Sequence, residues 1–141
     1  MKRLARTFIL LSILLAACST RSGDIEVRGA WIRPANAGMN TAAYFVITNH
    51  GESDRLLEAE SSIAERTEIH RSFEDEAGVM RMEKQDEVIL ASGRSVTFEP
   101  GGLHIMFVEL RRDLLLDNQV QLRLRFENQG EVTIDVPIEI P

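Results

Sequence analysis

The sequence predicts an all-β fold, an antiparallel β-sandwich, on three observations. Val120, Leu122, Leu124 and Phe126 alternate with Gln121, Arg123 and Arg125, and Val132, Ile134, Val136, Ile138 and Ile140 repeat the pattern beyond Gln129-Gly130. A period of two, apolar on one side and polar on the other, is that of a strand with one wet face, so these runs form a C-terminal hairpin. Upstream, short apolar stretches recur between turn clusters at the spacing of a sandwich. No stretch sustains a helical period; a single turn over 61–66 is the most that the pattern supports.

In order, strands are expected at 25–33, 42–48, 55–60, 67–70, 79–83, 95–98 and 103–110, ahead of the hairpin. Between them lie Asn49-His50-Gly51, Glu76-Ala77-Gly78, Ser92-Gly93, Pro100-Gly101-Gly102 and Asp117-Asn118, residue types that adopt turn backbone or bond to it. The stretch 67–70 puts His70 at a strand end. There is no internal repeat and no low-complexity segment.

A chain of 141 residues, 44% hydrophobic, makes one domain with one core, too small for a nucleotide-binding fold beside a substrate domain. Its 16 Lys and Arg against 22 Asp and Glu form no basic stripe, which opposes nucleic-acid binding. One Cys makes neither an internal disulfide nor a thiolate-rich zinc site. A Gly-rich phosphate loop, a G-x-S-x-G elbow and paired Cys-x-x-Cys motifs are all missing, and no Ser stands in a nucleophile's context, so catalysis is not expected.

Residues 1–17 read as a signal peptide: Lys2, Arg3 and Arg6 precede an apolar run over 8–15 that is too short to span a bilayer, and small Ala16 and Ala17 follow. Leu15-Ala16-Ala17-Cys18 resembles the bacterial lipobox, which makes Cys18 the lipidated mature N-terminus and 18–24 a short tether to the domain at 25–141. Cleavage removes three cations and takes the formal charge from −6 to −9. The reading is of a periplasmic protein lipid-anchored to the cell envelope, with Ser19 favouring the outer membrane. With Cys18 lipidated, no thiolate remains for a blue-copper site.

Chemistry concentrates around Leu103-His104-Ile105-Met106. On a strand His104 and Met106 share one face while Leu103, Ile105 and Phe107 take the other. Met80 and Met82 form a second same-face pair, preceded by His70. Imidazole with thioether and no carboxylate suits Cu(I) better than zinc, magnesium or calcium. Thioethers also suit an oxidising compartment, where a free thiol is at risk. These residues alone leave two readings open, a soft-metal site and ordinary packing of Met and His.

The chain also resembles the PCuAC-type periplasmic copper chaperones, a family of cupredoxin-like, immunoglobulin-like antiparallel β-sandwiches. The family motif is a His, about ten residues, a Met, twenty-one residues, then His-x-Met. Met82 and His104 are separated by twenty-one residues and Met106 follows, while His70 to Met82 spans eleven, with the extra residue assigned to the turn over 74–78. Met80 is the fallback. Further agreement comes from Ala30-Trp31-Ile32-Arg33, Asn40-Thr41-Ala42-Ala43-Tyr44, Asp54-Arg55-Leu56, Glu68-Ile69-His70 and Pro100-Gly101-Gly102. Trp31 and Tyr44 read as core aromatics and His50 as a solvated turn residue.

The resemblance implies that His70, Met82, His104 and Met106 converge on one Cu(I), partly exposed for transfer. It implies a non-catalytic metallochaperone delivering copper towards cytochrome c oxidase assembly, with a copper-donor chaperone and an oxidase subunit as partners and the membrane reached through the lipid. The alternatives are a copper-independent envelope lipoprotein acting as an interaction module, a periplasmic copper storage or tolerance protein, and a copper redox enzyme.

Overall fold

A computed structural model describes residues 24–141. The signal peptide and Cys18 lipidation site expected from the sequence lie outside the described residues. Ten strands follow in order: β1 (Ile25–Ile32), β2 (Thr41–Asn49), β3 (Asp54–Glu60), β4 (Ala64–Glu74), β5 (Met80–Lys84), β6 (Val88–Leu90), β7 (Ser95–Phe98), β8 (Leu103–Leu110), β9 (Gln119–Phe126) and β10 (Gly130–Pro137). They form a six-stranded sheet, β1-β2-β7-β8-β4-β5, and a four-stranded sheet, β10-β9-β3-β6. The strands pair antiparallel, except for one β7–β8 contact at Phe98 and Leu103 and an isolated bridge between Ile32 and Ile138, which are parallel. The expected β-sandwich is thus the observed architecture.

The core joins alternate residues of both sheets: Ala43, Phe45 and Ile47 of β2 and Ile105 and Phe107 of β8 meet Leu56 of β3 and Leu122, Leu124 and Phe126 of β9. Burial of these side chains at about 25 cal/mol per Å² of apolar surface drives the two sheets together. The alternation in β9 appears without a break, its even-numbered residues buried and its odd-numbered ones exposed.

Four local expectations are corrected. The helical turn over 61–66 is a turn leading into β4, because Ala64 pairs with Leu110 and Arg111 N–H donates to the Ile63 carbonyl. Sheet pairing there satisfies the backbone that a lone helical turn leaves open. β4 runs on to Glu74, so His70 is mid-strand. β6 is additional, three residues long with Val88 and Leu90 buried and Ile89 exposed, too brief for its period to register. The last strand ends at Pro137 rather than continuing to Ile140, because Ile138 leaves β9 to bridge Ile32 of β1.

One buried carboxylate ties β3 to the β9–β10 turn. Asp54, 6% exposed, accepts the N–H groups of Arg55, Asn128 and Gln129 at 2.7, 2.9 and 2.9 Å. Burial pushes its pKa up, but these bonds outweigh burial and hold it below the ordinary value. Asp54→Ala is expected to lower unfolding free energy by about 1–3 kcal/mol at neutral pH, through unpaired buried N–H groups. Because the folded pKa is depressed, this contribution is present above the unfolded value of 3.8 and is lost as pH falls through the lower folded value. Urea unfolding of both proteins at pH 7 and near pH 3 checks this; a gap that widens in acid would contradict it.

Candidate metal centre

Strand register assembles the centre. His70 of β4 stands directly opposite His104 of β8, and Glu68 opposite Met106. On the other edge of β4, Ser72 is opposite Met82 of β5. Directly opposed residues share a face. Since Ile69 and Ile105 point into the core, these neighbours point outward. His70, Met82, His104 and Met106, spread over thirty-seven positions of sequence, therefore occupy the outward face of the six-stranded sheet. This face adjoins the β7–β8 turn.

A cleft of about 310 Å³ opens there, lined by Met82, His104 and Met106 and walled by Arg33, Pro34 and Ala35 of the β1–β2 connection. His70 does not line this cleft; its ring centre stands 5.9 Å from that of His104. Met80 is paired with Glu74, two cross-strand pairs nearer the hairpin turn than Met82, and is 58% exposed. Exposure falls from Met82 at 53% to His104 at 5%, so a ligand exchanging at the centre meets a thioether first.

Both imidazoles have a defined free nitrogen. His104 Nδ1–H donates to the Gly102 carbonyl at 3.1 Å, which leaves the lone pair on Nε2. Burial pushes the His104 pKa down; the Gly102 bond opposes this and nearby His70 adds to it, so the ring is neutral at pH 7. His70 Nε2–H donates to Glu68 Oε2 at 2.9 Å. His70 Nδ1 is the one buried side-chain nitrogen or oxygen among the described residues with no hydrogen-bond partner. The bond from His70 is the main cause of a lowered Glu68 pKa.

These residues fit a single soft ion. With metal–imidazole distances of about 2.0–2.1 Å, two rings sharing an ion have centres roughly 5–6.4 Å apart. The 5.9 Å separation falls within that range. Met82 and Met106 line the cleft beside His104, and thioether with imidazole is donor chemistry suited to a soft ion. Among the described residues, no group of three or more His, Cys, Asp or Glu offers a hard-metal alternative.

Two aromatic assignments change. Tyr44 is buried, but on the outward face, where it lines the cleft 6.4 Å from His104. Trp31 stacks on it at 4.6 Å, with the Arg33 guanidinium 5.9 and 5.6 Å from the two ring centres. Alternation with core residues Ala43, Phe45 and Ile47 is the sequence signal that turns Tyr44 away from the core. Glu68 is a further site residue that motif spacing does not single out; its signal is its position two residues from His70, on the same strand face. His50 is away from the cleft, exposed and bonded to Glu26 at 3.0 Å.

Comparison with known proteins agrees with this architecture. The copper-bound PCuAC domain from PmoF2 matches with a TM-score of 0.70 at 27% identity, over 84% of this chain and 95% of that one. The apo PCuAC domain from PmoF1 matches with a TM-score of 0.72 at 26% identity, over 84% and 96%. A curated relative in Leifsonia xyli subsp. xyli (strain CTCB07), described as "Putative lipoprotein Lxx21020", is 27% identical over 120 residues, covering 84% of this chain and 72% of that one. The fold, with His and Met carried on neighbouring strands of its larger sheet, is that of a PCuAC-type β-sandwich. The chain belongs to the family described as "Putative lipoprotein LpqE-like", whose model matches residues 25–138.

Proposed function

We propose that this protein is a periplasmic Cu(I) metallochaperone, anchored by lipid at Cys18, that carries copper towards cytochrome c oxidase assembly. One observation supports the reading: Met82, His104 and Met106 line one cleft on the sheet face that His70 shares, and His70 stands opposite His104 with Nδ1 buried and unpartnered while His104 Nε2 is free. His70, Met82, His104 and Met106 are the ligands, and the exposure of Met82 favours transfer over storage, because an acceptor's ligand can enter as this thioether leaves. Copper is cargo here and no reaction is catalysed. The donor is another copper chaperone and the acceptor an oxidase subunit. The copper-bound PmoF2 domain supports the choice of metal.

Competition against a chromophoric Cu(I) chelator tests the proposal. The full chain should bind one Cu(I), and excess Zn(II) should not displace it. Met82→Leu is expected to weaken binding while Met80→Leu leaves it unchanged, since Met82 lines the cleft and Met80 does not. Weakening by Met80→Leu alone would transfer the role to Met80, and the absence of Cu(I) binding by the parent chain would sink the chaperone reading.

A further inference from the structure

We infer that Glu68 is a positioning residue that holds His70 in its Nε2-protonated form and thereby reserves Nδ1 for the metal. The assignment rests on the copper reading above, but its central claim is measurable without copper.

An ionised carboxylate can only accept, so the 2.9 Å contact between Glu68 Oε2 and His70 Nε2 requires the proton to sit on Nε2. In a neutral ring the lone pair then belongs to Nδ1. That atom is buried and has no partner, although buried polar atoms are ordinarily hydrogen-bonded. A buried nitrogen, with the ring's proton drawn to the far side, is prepared for a ligand.

Glu68 is itself secured. Arg66 Nε and Lys84 Nζ approach its other oxygen, Oε1, at 3.6 and 3.8 Å, leaving Oε2 to the imidazole. Lys84 arrives as the cross-strand partner of His70 on β5, and Arg66 lies two residues earlier on β4. This arrangement also explains why a carboxylate opposite Met106 does not become a ligand: both oxygens are engaged, and a hard oxygen competes poorly for a soft ion. His104 needs no such side chain, because the Gly102 backbone carbonyl takes its Nδ1–H. The two rings therefore present opposite nitrogens, and only that of His70 depends on a replaceable side chain.

Imidazole 15N spectra of the full chain, metal-free at neutral pH, test the claim. The parent should show His70 as a single Nε2–H tautomer. In Glu68→Ala that signature should give way to a mixture of tautomers, and Cu(I) affinity should fall by about 10–100-fold, the usual effect of losing a ligand's outer hydrogen-bond partner. Glu68→Gln keeps an acceptor oxygen and should restore the tautomer and most of the affinity, a rescue that a purely structural role would not require. If Glu68→Ala does not fold, Glu68→Asp, which withdraws the acceptor by one methylene, should show the same loss. An unchanged tautomer in the folded variant, or an affinity within about twofold of the parent where 10–100-fold is expected, would overturn the assignment. A parent chain that binds no Cu(I) would overturn the copper reading and leave the tautomer measurement to decide the role of Glu68.

Discussion

Replacing His104 by alanine is expected to lower Cu(I) affinity by well over the roughly 10–100-fold that follows from losing a ligand's hydrogen-bond partner, because here a donor itself is removed. In the proposed site His104 links the two groups of donors: it stands opposite His70 and lines the cleft with Met82 and Met106. Its side chain is 5% exposed and its Nε2 lone pair is held in place by the Nδ1 bond to Gly102. His50→Ala is the control, since that ring is exposed and bonded only to Glu26. Chelator competition should separate the two variants, while thermal melts establish that both are folded. Equal affinity for parent and His104→Ala would remove His104 from the site and with it the proposed centre.

The second large effect divides stability from binding on adjacent residues. Phe107 is completely buried between the sheets, and Phe107→Ala is expected to lower the unfolding free energy by about 3–5 kcal/mol, lost burial plus the cavity left behind. Against a total of roughly 5–15 kcal/mol for a domain, that is enough to threaten folding. Met106, one position earlier on β8, faces the cleft. Met106→Ile nearly preserves volume and removes only the sulfur, so it should change stability by less than about 1.5 kcal/mol while weakening Cu(I) binding. Urea unfolding and chelator competition on both variants check the pair. Full affinity in Met106→Ile would exclude the thioether as a ligand, and a loss below about 1 kcal/mol in Phe107→Ala would contradict the two-faced role of β8.

Much of the fold is legible in the residue order alone. Where a strand has one buried and one wet face, as in β9, the period of two appears directly along the chain. The His104-x-Met106 pair is legible for the same reason: neighbouring alternate residues must share a face whatever the rest of the chain does. β6 is not, because three residues carry too little period. The stretch 61–66 suggests a helical turn because its local pattern is ambiguous, and the pairing of Ala64 with Leu110 decides against it. Tyr44 suggests a core residue because an aromatic in a strand is usually found there; the outward face of β2 is also covered, by the β1–β2 connection, so burial does not distinguish the two sides.

The residue order by itself determined the all-β class, the His and Met residues able to bind a soft ion, and the strand faces those residues occupy, because alternation is a property of the backbone that no distant contact alters. Only the tertiary structure decided that β4 lies between β5 and β8, that His70 meets His104, and that Glu68 claims one nitrogen of His70 and leaves the other bare. Those relations depend on which strands pair and in what register. That is set by the fit of the whole core, a sum over residues far apart along the chain.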